Sequence, residues 1–412
     1  MKNLIVLLFF ILPVCMQGQW NIKYIPADKF SSLEVIGVDT VIASTSGGGR
    51  IHRSFDGAQT WAFDQTIFTT SWFNDMHFPT NTVGYACGGT AFGMHTNIIS
   101  KTTDGGLTWD SLTSNSFFGY EFNTLFFPTD SIGFVAPGPG TALKTVNGGL
   151  SFTPVTIPNA VNVTEIYFQK LTNGLFCSYQ VIAPNTFVYN IHRTTDLGIT
   201  WTVVYADTVA NVSGINDRRI NKVFFVDDNN GYAVGGHGLF LKTTDGGFSW
   251  AQSFISPYNN LTALHFTDLN TGYTNNAGGI YRTTDGGTTW NAQQINWLSI
   301  IYDIKFANDS IGYAIGEHGI YKTTNGGVLT GIKDIDMLSD ISIFPNPSSS
   351  SISVESNSLV IKKVAIHNMN GRLVLKKFSG FNNIDVSKLS NGVYTVSVHT
   401  KKYKLTKKLI KE

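Results

Sequence analysis

The sequence predicts an all-β chain, a seven-bladed β-propeller followed by a small Ig-like β-sandwich. Three observations predict it. A turn built on Asp or Asn followed by glycine recurs seven times at steps of 40 to 49 residues, the length of one four-stranded blade. The chain is 13% aromatic and holds 41 glycines, the usage of a turn-rich β protein rather than a helical bundle. From Ile341 onward the repeat gives way to short alternating strands and a basic end.

The first element is a leader. Lys2, an apolar run from Leu4 to Val14, and small or polar residues up to Gly18 have the three-part form of a secretory signal peptide, residues 1–18, with cleavage expected before Gln19. The run is too short to span a bilayer, and no later stretch approaches the ~20 apolar residues a helix needs, so no transmembrane segment is expected in the mature chain. Leu12-Pro13-Val14-Cys15 has the outline of a lipoprotein box, but Val14 stands where Gly, Ala or Ser is usual, which argues against lipid on Cys15. Cys87 and Cys177 then remain, in equivalent places of different repeats, and are expected to be buried thiols.

The blades occupy residues 19–330. Their turns read TTDGGLTW from Thr102, TTDLGITW from Thr194, TTDGGFSW from Thr243 and TTDGGTTW from Thr283, with weaker copies from Ser54, Thr145 and Thr323. The repeated residue is Asp56, Asp104, Asn147, Asp196, Asp245, Asp285 and Asn325. Its side chain can accept hydrogen bonds from the turn's own amides, while glycine supplies positive φ. A basic residue precedes every copy (Arg53, Lys101, Lys144, Arg193, Lys242, Arg282, Lys322), and a residue recurring seven times belongs to the scaffold. Six blades also carry a Phe six residues before a Gly, as in Phe78 with Gly84, which places strand A up to the Phe, strand B from the Gly, strand C up to the turn and strand D from the Trp.

The seventh turn has Thr330 where the others have an aromatic residue, so the last blade lacks its own outer strand. Trp20 can supply it. The step of 16 residues from Trp20 to Ile36 equals the step from turn aromatic to strand-A Phe in three other blades. Residues Gln19 to Ile25 are therefore expected to pair beside Gly319 to Thr324 and close the ring, which removes the open edges that invite aggregation.

These turns resemble the Asp-box, or bacterial neuraminidase, repeat, and their arrangement is similar to propellers of the photosystem II assembly-factor-like group. The resemblance implies fold more than activity, because sialidases, xyloglucanases, sortilin-like receptors and assembly factors share such boxes. Ala58 and Leu197 in place of box glycines, and Phe152 in place of a Trp, depart from the pattern.

A linker at 331–340 leads to a last domain at 341–412. Its Pro345-Asn346-Pro347, the turn Asn370-Gly371-Arg372, then Gly392, Tyr394 and the closing Lys407-Lys408 resemble the type A C-terminal sorting domain of the type IX (Por) secretion system. That resemblance implies a partner, the outer-membrane secretion machinery, and a final location at the cell surface or in the medium. An ordinary Ig-like stabilising module is the alternative.

The charge divides at the same place. The tail holds 12 basic and 3 acidic residues, +9, whereas Gln19 to Asp340 holds 16 and 25, −9, so the body repels a phosphate backbone and nucleic acid is excluded as a partner. No zinc spacing, phosphate loop or nucleophile elbow is present, and no cofactor or metal is expected. A sialidase needs three convergent arginines. Of six in the body, Arg53, Arg193 and Arg282 are scaffold, and Arg218 and Arg219 are adjacent, expected on opposite sides of one strand.

A two-carboxylate glycosidase needs a facing pair. Three positions before the strand-A Phe stand Asp75, Thr124, Glu165, Lys222, Ala263 and Asp303, a polar ring if strand A lines the channel. Asp75, Glu165 and Asp303 are the carboxylates such an enzyme would have to use, although hydrogen bonds to neighbouring blades or to channel water are the favoured explanation of them. Ligand-face candidates near the D–A and B–C turns are Trp72, Trp297, His237, Glu317 and His318, with Phe117, Phe118, Tyr258 and His95 nearby. The stretch from Tyr205 to Arg218 is the one insertion long enough for a recognition loop. The reading is a monomeric, exported, non-catalytic binding or assembly propeller with a protein or glycan ligand. An exported glycan-acting hydrolase is the alternative.

Overall fold

The computed structural model describes residues 20–26, 29–64, 71–90, 97–112, 121–137, 142–159, 162–210, 217–256, 259–276, 278–293, 295, 299–328, 341–356, 360–368, 372–400 and 404–412. The proposed leader, the linker 331–340, Trp297, Phe117, Phe118, Tyr258, His95 and Gly371 lie outside these. The chain divides into two compact units, Met1–Gly327 and Val328–Glu412.

In the first unit the described residues form seven four-stranded antiparallel sheets. We number them by their innermost strands, Phe30–Ile36, Ser71–His77, Phe122–Phe126, Asn162–Phe168, Ile220–Phe225, Leu264–Phe266 and Ile301–Phe306. Sheets 1 to 6 use consecutive strands, but the outer strand of sheet 7 is Asn21–Tyr24 from the far end of the chain. Asn21 faces Lys322, Ile22 faces Tyr321 and Tyr24 faces Ile320, the pairing expected from the missing aromatic. Trp20 is fully buried and sits edge-on to Tyr273 and Phe306, with centroids 6.2 and 5.6 Å away.

Each Asp box closes in the same way. Thr102 Oγ1 donates to Asp104 Oδ1 at 2.7 Å and accepts from Gly106 N, while Thr108 donates its amide and hydroxyl to the same carboxylate at 2.9 and 2.6 Å. The glycine signal is conformational, since both box glycines here have positive φ, 75° and 87°. Where the sequence departs, the backbone does not: Ala58 has φ 69° and Leu197 φ 60°. A side chain in that region costs energy, so Leu197→Gly is expected to stabilise the protein by on the order of 1 kcal/mol in a urea melt.

Box carboxylates also set an acid limit. The hydroxyl and amide of Thr200 hold Asp196 down to about 2, and Thr289 does the same for Asp285. A folded pKa below the unfolded ~3.9 gives stability that is complete above about pH 4 and lost as the pH falls towards 2. An Asp196→Asn protein should therefore melt below wild type at pH 6 and together with it near pH 2. A gap unchanged by acid would contradict this.

Neighbouring sheets are joined by the other repeated residues. Lys144 Nζ donates to Leu197 O at 2.7 Å, Lys242 Nζ to Gly286 O at 3.2 Å and Arg193 Nε to Gly246 O at 3.0 Å, so the basic residue of one box holds the next box. Lys322 Nζ donates to Gly57 O at 2.7 Å, and Tyr313 donates its hydroxyl to Val38 O at 2.9 Å, which joins sheet 7 to sheet 1. The Phe–Gly spacing has a packing cause. A Cβ at Gly84 would fall 2.5 Å from the Phe78 ring, and at Gly133 2.3 Å from that of Phe127.

Sheet 1 corrects the expected register. Arg53 faces Ile42, which faces Glu34, whereas Lys101 faces Tyr85, which faces His77. Glu34 is thus the counterpart of His77, and Val35, not Ile36, that of Phe78. Val41 takes the glycine position because a Val–Val pair fills the space of Phe–Gly. The supposed recognition loop, Tyr205 to Arg218, is corrected in its first part, while 211–216 lie outside the described residues. Tyr205 to Ala210 belong to a nine-residue outer strand, Thr202–Ala210, paired along Thr186–Thr194. Arg218 and Arg219 precede the strand Ile220–Phe225 instead of lying within it, bound to Asp207 at 2.8 Å and Asp217 at 2.7 Å.

Cys87 and Cys177 are buried free thiols facing Asp75 and Glu165 across the inner hairpins. Burial, the larger cause, and the nearby carboxylates push both thiols up. Among the described residues no helix is long and apolar enough to cross a membrane.

The second unit has a three-stranded sheet (Ile341–Phe344, Ser351–Ser356, Ile384–Asp385) and a four-stranded one (Leu373–Lys377, Ile361–Asn368, Gly392–Thr400, Lys404–Lys411). Both contribute to one core, with Ile341, Ile352 and Val354 against Val364, Val396 and Leu409. Asn346, between Pro345 and Pro347, donates Nδ2 to Lys408 O at 2.9 Å and accepts from Ile410 N at 2.8 Å, so the opening motif is tied to the final strand. Tyr394 donates to Ser390 O at 2.8 Å, and Gly392 has φ 153°.

Candidate functional site

The seven inner strands surround a central channel of two cavities, about 410 and 230 Å³. Alternation along a strand would send every second residue inward. Six inner strands break this with an extra residue, Ser31, Asn74, Asn123, Thr164, Asn221 or Tyr302, where the register to the next strand shifts. A bulge sends two neighbours to one side, and the larger cavity is lined by all six together with Thr262.

The next residue along each strand forms a middle ring of Ser32, Asp75, Thr124, Glu165, Lys222 and Asp303. This gathers five of the six predicted polar positions, and Ser32 joins through the register correction. Ala263 is the exception, since it is fully buried in the core between sheets 6 and 7 while Thr262 takes the lining place. Further in, the smaller cavity is ringed by Glu34, His77, Phe126, Tyr167, Phe224, His265 and Lys305. Asp75, Glu165 and Lys222 line both cavities.

The three carboxylates have different surroundings. Asp75 accepts from Ser32 Oγ at 3.3 Å, Met76 N at 2.9 Å, Thr124 Oγ1 at 3.0 Å and Leu125 N at 3.1 Å, spanning sheets 1, 2 and 3. Asp303 accepts from Leu33 N at 3.4 Å and Ile304 N at 2.9 Å, tying sheet 7 to sheet 1. Glu165 is 6% exposed, lies 3.5 Å from Lys222 Nζ, and accepts no hydrogen bond from any described residue. Burial, only partly offset by Lys222, pushes its carboxyl up to about 7.

Burial opposes the charge on Lys222, yet Glu165, Asp303 and Asp75 hold its pKa above the ordinary lysine value. Glu34, raised by burial, pairs with Lys305 at 3.0 Å. Burial, aided by Lys305 at both rings and by Lys222 at His77, lowers His77 and His265 to about 3, so both rings are neutral at pH 7.

The turn candidates among the described residues, Trp72, His237, Glu317 and His318, are not brought together at the channel. Trp72 lies in the inner strand Ser71–His77 and donates Nε1 to Glu121 Oε2 at 2.6 Å, a contact between sheets 2 and 3. His237 is the middle of a Gly-His-Gly turn with φ 55°, edge-on to Phe254. Glu317 and His318 are exposed at a hairpin tip. Sequence reasoning missed the bulge residues and the inner ring. The polar side chains immediately before the predicted ring, three Asn among them, were the available signal. Among the described residues no cluster of His, Cys, Asp and Glu can hold a metal ion.

Residues 342–412 match the family model described as the secretion system C-terminal sorting domain. The chain is a cargo of the type IX secretion system. That tail addresses the cargo to the cell surface or the medium and implies contact with the secretion machinery. Residues 190–296 of the cargo match the model of the photosynthesis system II assembly factor YCF48. Among solved structures, a YCF48 bound to D1 peptide is 16% identical with a TM-score of 0.54, covering 75% of this chain and 97% of its own. YCF48 from Cyanidioschyzon merolae is also 16% identical with a TM-score of 0.54, covering 74% and 98%. The WD40 β-propeller domain of Doa1 is 12% identical with a TM-score of 0.51, covering 74% and 96%. At such identities these likenesses carry the fold alone, and the body of the cargo is an all-β propeller. No curated protein matches the chain.

Proposed function

We propose that this cargo is a non-catalytic binding or assembly propeller of seven blades that takes a protein or glycan ligand at the wide mouth of its channel. The supporting observation is the use already made of the middle-ring carboxylates. Asp75 and Asp303 accept backbone amides of the next sheet, and Glu165 is paired with Lys222. A glycosidase needs a general acid and a second carboxylate free to attack or to activate water, and two of these three are committed to holding inner strands together. The larger cavity, lined by amides and hydroxyls with Lys29 among them, is of a size that suits a ligand. A propeller of the same fold has been solved with a peptide bound.

The rest of the plan follows the sequence: a leader 1–18 removed on export, propeller 19–330, linker 331–340, and an Ig-like sorting domain 341–412. One observation favours the hydrolase reading, namely that Glu165, at about 7, has the poise of a general acid. Glycan and outer-membrane-protein arrays run beside a hydrolysis screen test the choice. Saturable binding without turnover is expected. Turnover that disappears in Asp75→Ala and Glu165→Ala proteins would establish the enzyme instead.

A further inference from the structure

We propose that the channel mouth receives a side-chain cation, the ammonium of a lysine or the guanidinium of an arginine on an extended segment of a partner protein, docking against Glu165, with Asp75 and Asp303 contributing their charge and no hydrogen bond. The inference rests on the binding-propeller reading and names the chemistry of its ligand.

Four lining carboxylates, Glu34, Asp75, Glu165 and Asp303, face three lysines, Lys222 and Lys305 within the channel and Lys29, exposed at the larger cavity. The one ion pair close enough for a hydrogen bond, Lys305 with Glu34 at 3.0 Å, lies in the inner cavity. Nearer the mouth three carboxylates share Lys222, which stands 3.5 Å from Glu165 and no closer. A carboxylate has about four lone-pair sites. Glu165, more than nine-tenths buried and lining the cavity, has one distant partner and no hydrogen bond from a described residue. A second cation would complete that set.

The inner ring points to the same ligand. Five of its seven positions are aromatic, His77, Phe126, Tyr167, Phe224 and His265. Phe126, Tyr167 and Phe224 carry rings of the kind that attract cations, and the neutral histidines add no charge to that of Lys222 and Lys305. At the rim Asn123 is exposed, a carboxamide suited to a peptide group of the arriving segment.

A proton signature follows. Around Glu165 the charged or titratable groups are Asp75 and His77 of sheet 2, Tyr167 of its own strand, Cys177 facing it on the next strand of sheet 4, Lys222 of sheet 5, His265 of sheet 6, Asp303 and Lys305 of sheet 7, and Glu34 of sheet 1, with Lys29 and Tyr302 also lining the larger cavity. A ligand cation lowers the pKa of Glu165, so binding expels its proton and tightens as the pH rises through about 7.

The test is calorimetry of the mature full-length protein with N-acetylated pentapeptide amides whose central residue is lysine, arginine, norleucine or glutamate flanked by glycine. Butylamine and a chitosan oligosaccharide serve as non-peptide cations. Lysine and arginine peptides should bind at least tenfold more tightly than norleucine or glutamate ones and more tightly than butylamine. At pH 7 they should release about half a proton, read from buffers of different ionisation enthalpy. Glu165→Gln, checked for a wild-type melt, should abolish the release and weaken binding about tenfold. Because proton release is read on wild type, a variant that fails to fold leaves the test intact. Peptide binding indifferent to the central charge would overturn the inference and leave the binding propeller standing, as would preference for the chitosan oligosaccharide or butylamine. No binding of any probe here and none on the arrays would remove both.

Discussion

Deletion of residues 20–25 is expected to lower the melting temperature by roughly 10 °C or more, since it takes away the outer strand of sheet 7 and a buried tryptophan together. The segment does more than fill a gap. Tyr24 stacks on Trp61 at 5.1 Å and shares a hydrogen bond with His52 Nδ1 at 3.2 Å, both on sheet 1, so one short strand holds the last sheet and touches the first. Trp20 alone, packed edge-on between Tyr273 and Phe306, should account for roughly 3–5 kcal/mol when truncated to alanine. The deleted protein would expose Gly319–Thr323 as an unpaired edge, so concentration-dependent association should accompany the lower melt. Thermal denaturation followed by circular dichroism, with light scattering, reads both effects. A deletion that melts with wild type would mean that the ring is held elsewhere.

That closure was legible because a missing aromatic at Thr330 and a spare one at Trp20 are one-dimensional facts. The boxes were legible for the same reason, since every partner of Asp104 lies within four residues of it. The channel was only half legible. Spacing from the Phe located Asp75, Glu165, Lys222 and Asp303, but the bulge that turns Asn74 and Thr164 inward is a property of pairing between strands and leaves no period in the sequence. Sheet 1 hid its register because Val35 and Val41 together fill the volume of a Phe and a Gly, so neither marker survives to be counted. Partners such as Ser32 and Thr124 for Asp75 lie 43 and 49 residues away, on neighbouring sheets. Such distances become contacts only when the sheets are set side by side.

Truncation after Asp340 is expected to abolish delivery to the surface or medium while leaving a folded propeller in the periplasm. The two halves of that outcome have separate causes. Every sheet of the first unit, including the one completed by Asn21–Tyr24, is built from residues before Val328, so the cut removes none of its strands. The address, by contrast, lies in residues 342–412. Within that tail Asn346 joins the opening motif to the final strand through Lys408 O and Ile410 N. Asn346→Ala should therefore loosen the last strand, at a cost of about 1–3 kcal/mol. If the machinery reads the folded arrangement of these ends, export of this variant should fall between those of wild type and truncation. If it reads only the linear basic end, export should remain at the wild-type level. Fractionation with immunoblotting against the propeller distinguishes all three, and protease resistance of the periplasmic pool shows whether the retained body is folded. Because the propeller supplies none of the tail's strands, surface delivery of the truncation at the wild-type level would place the address in the body and leave the tail a stabilising module.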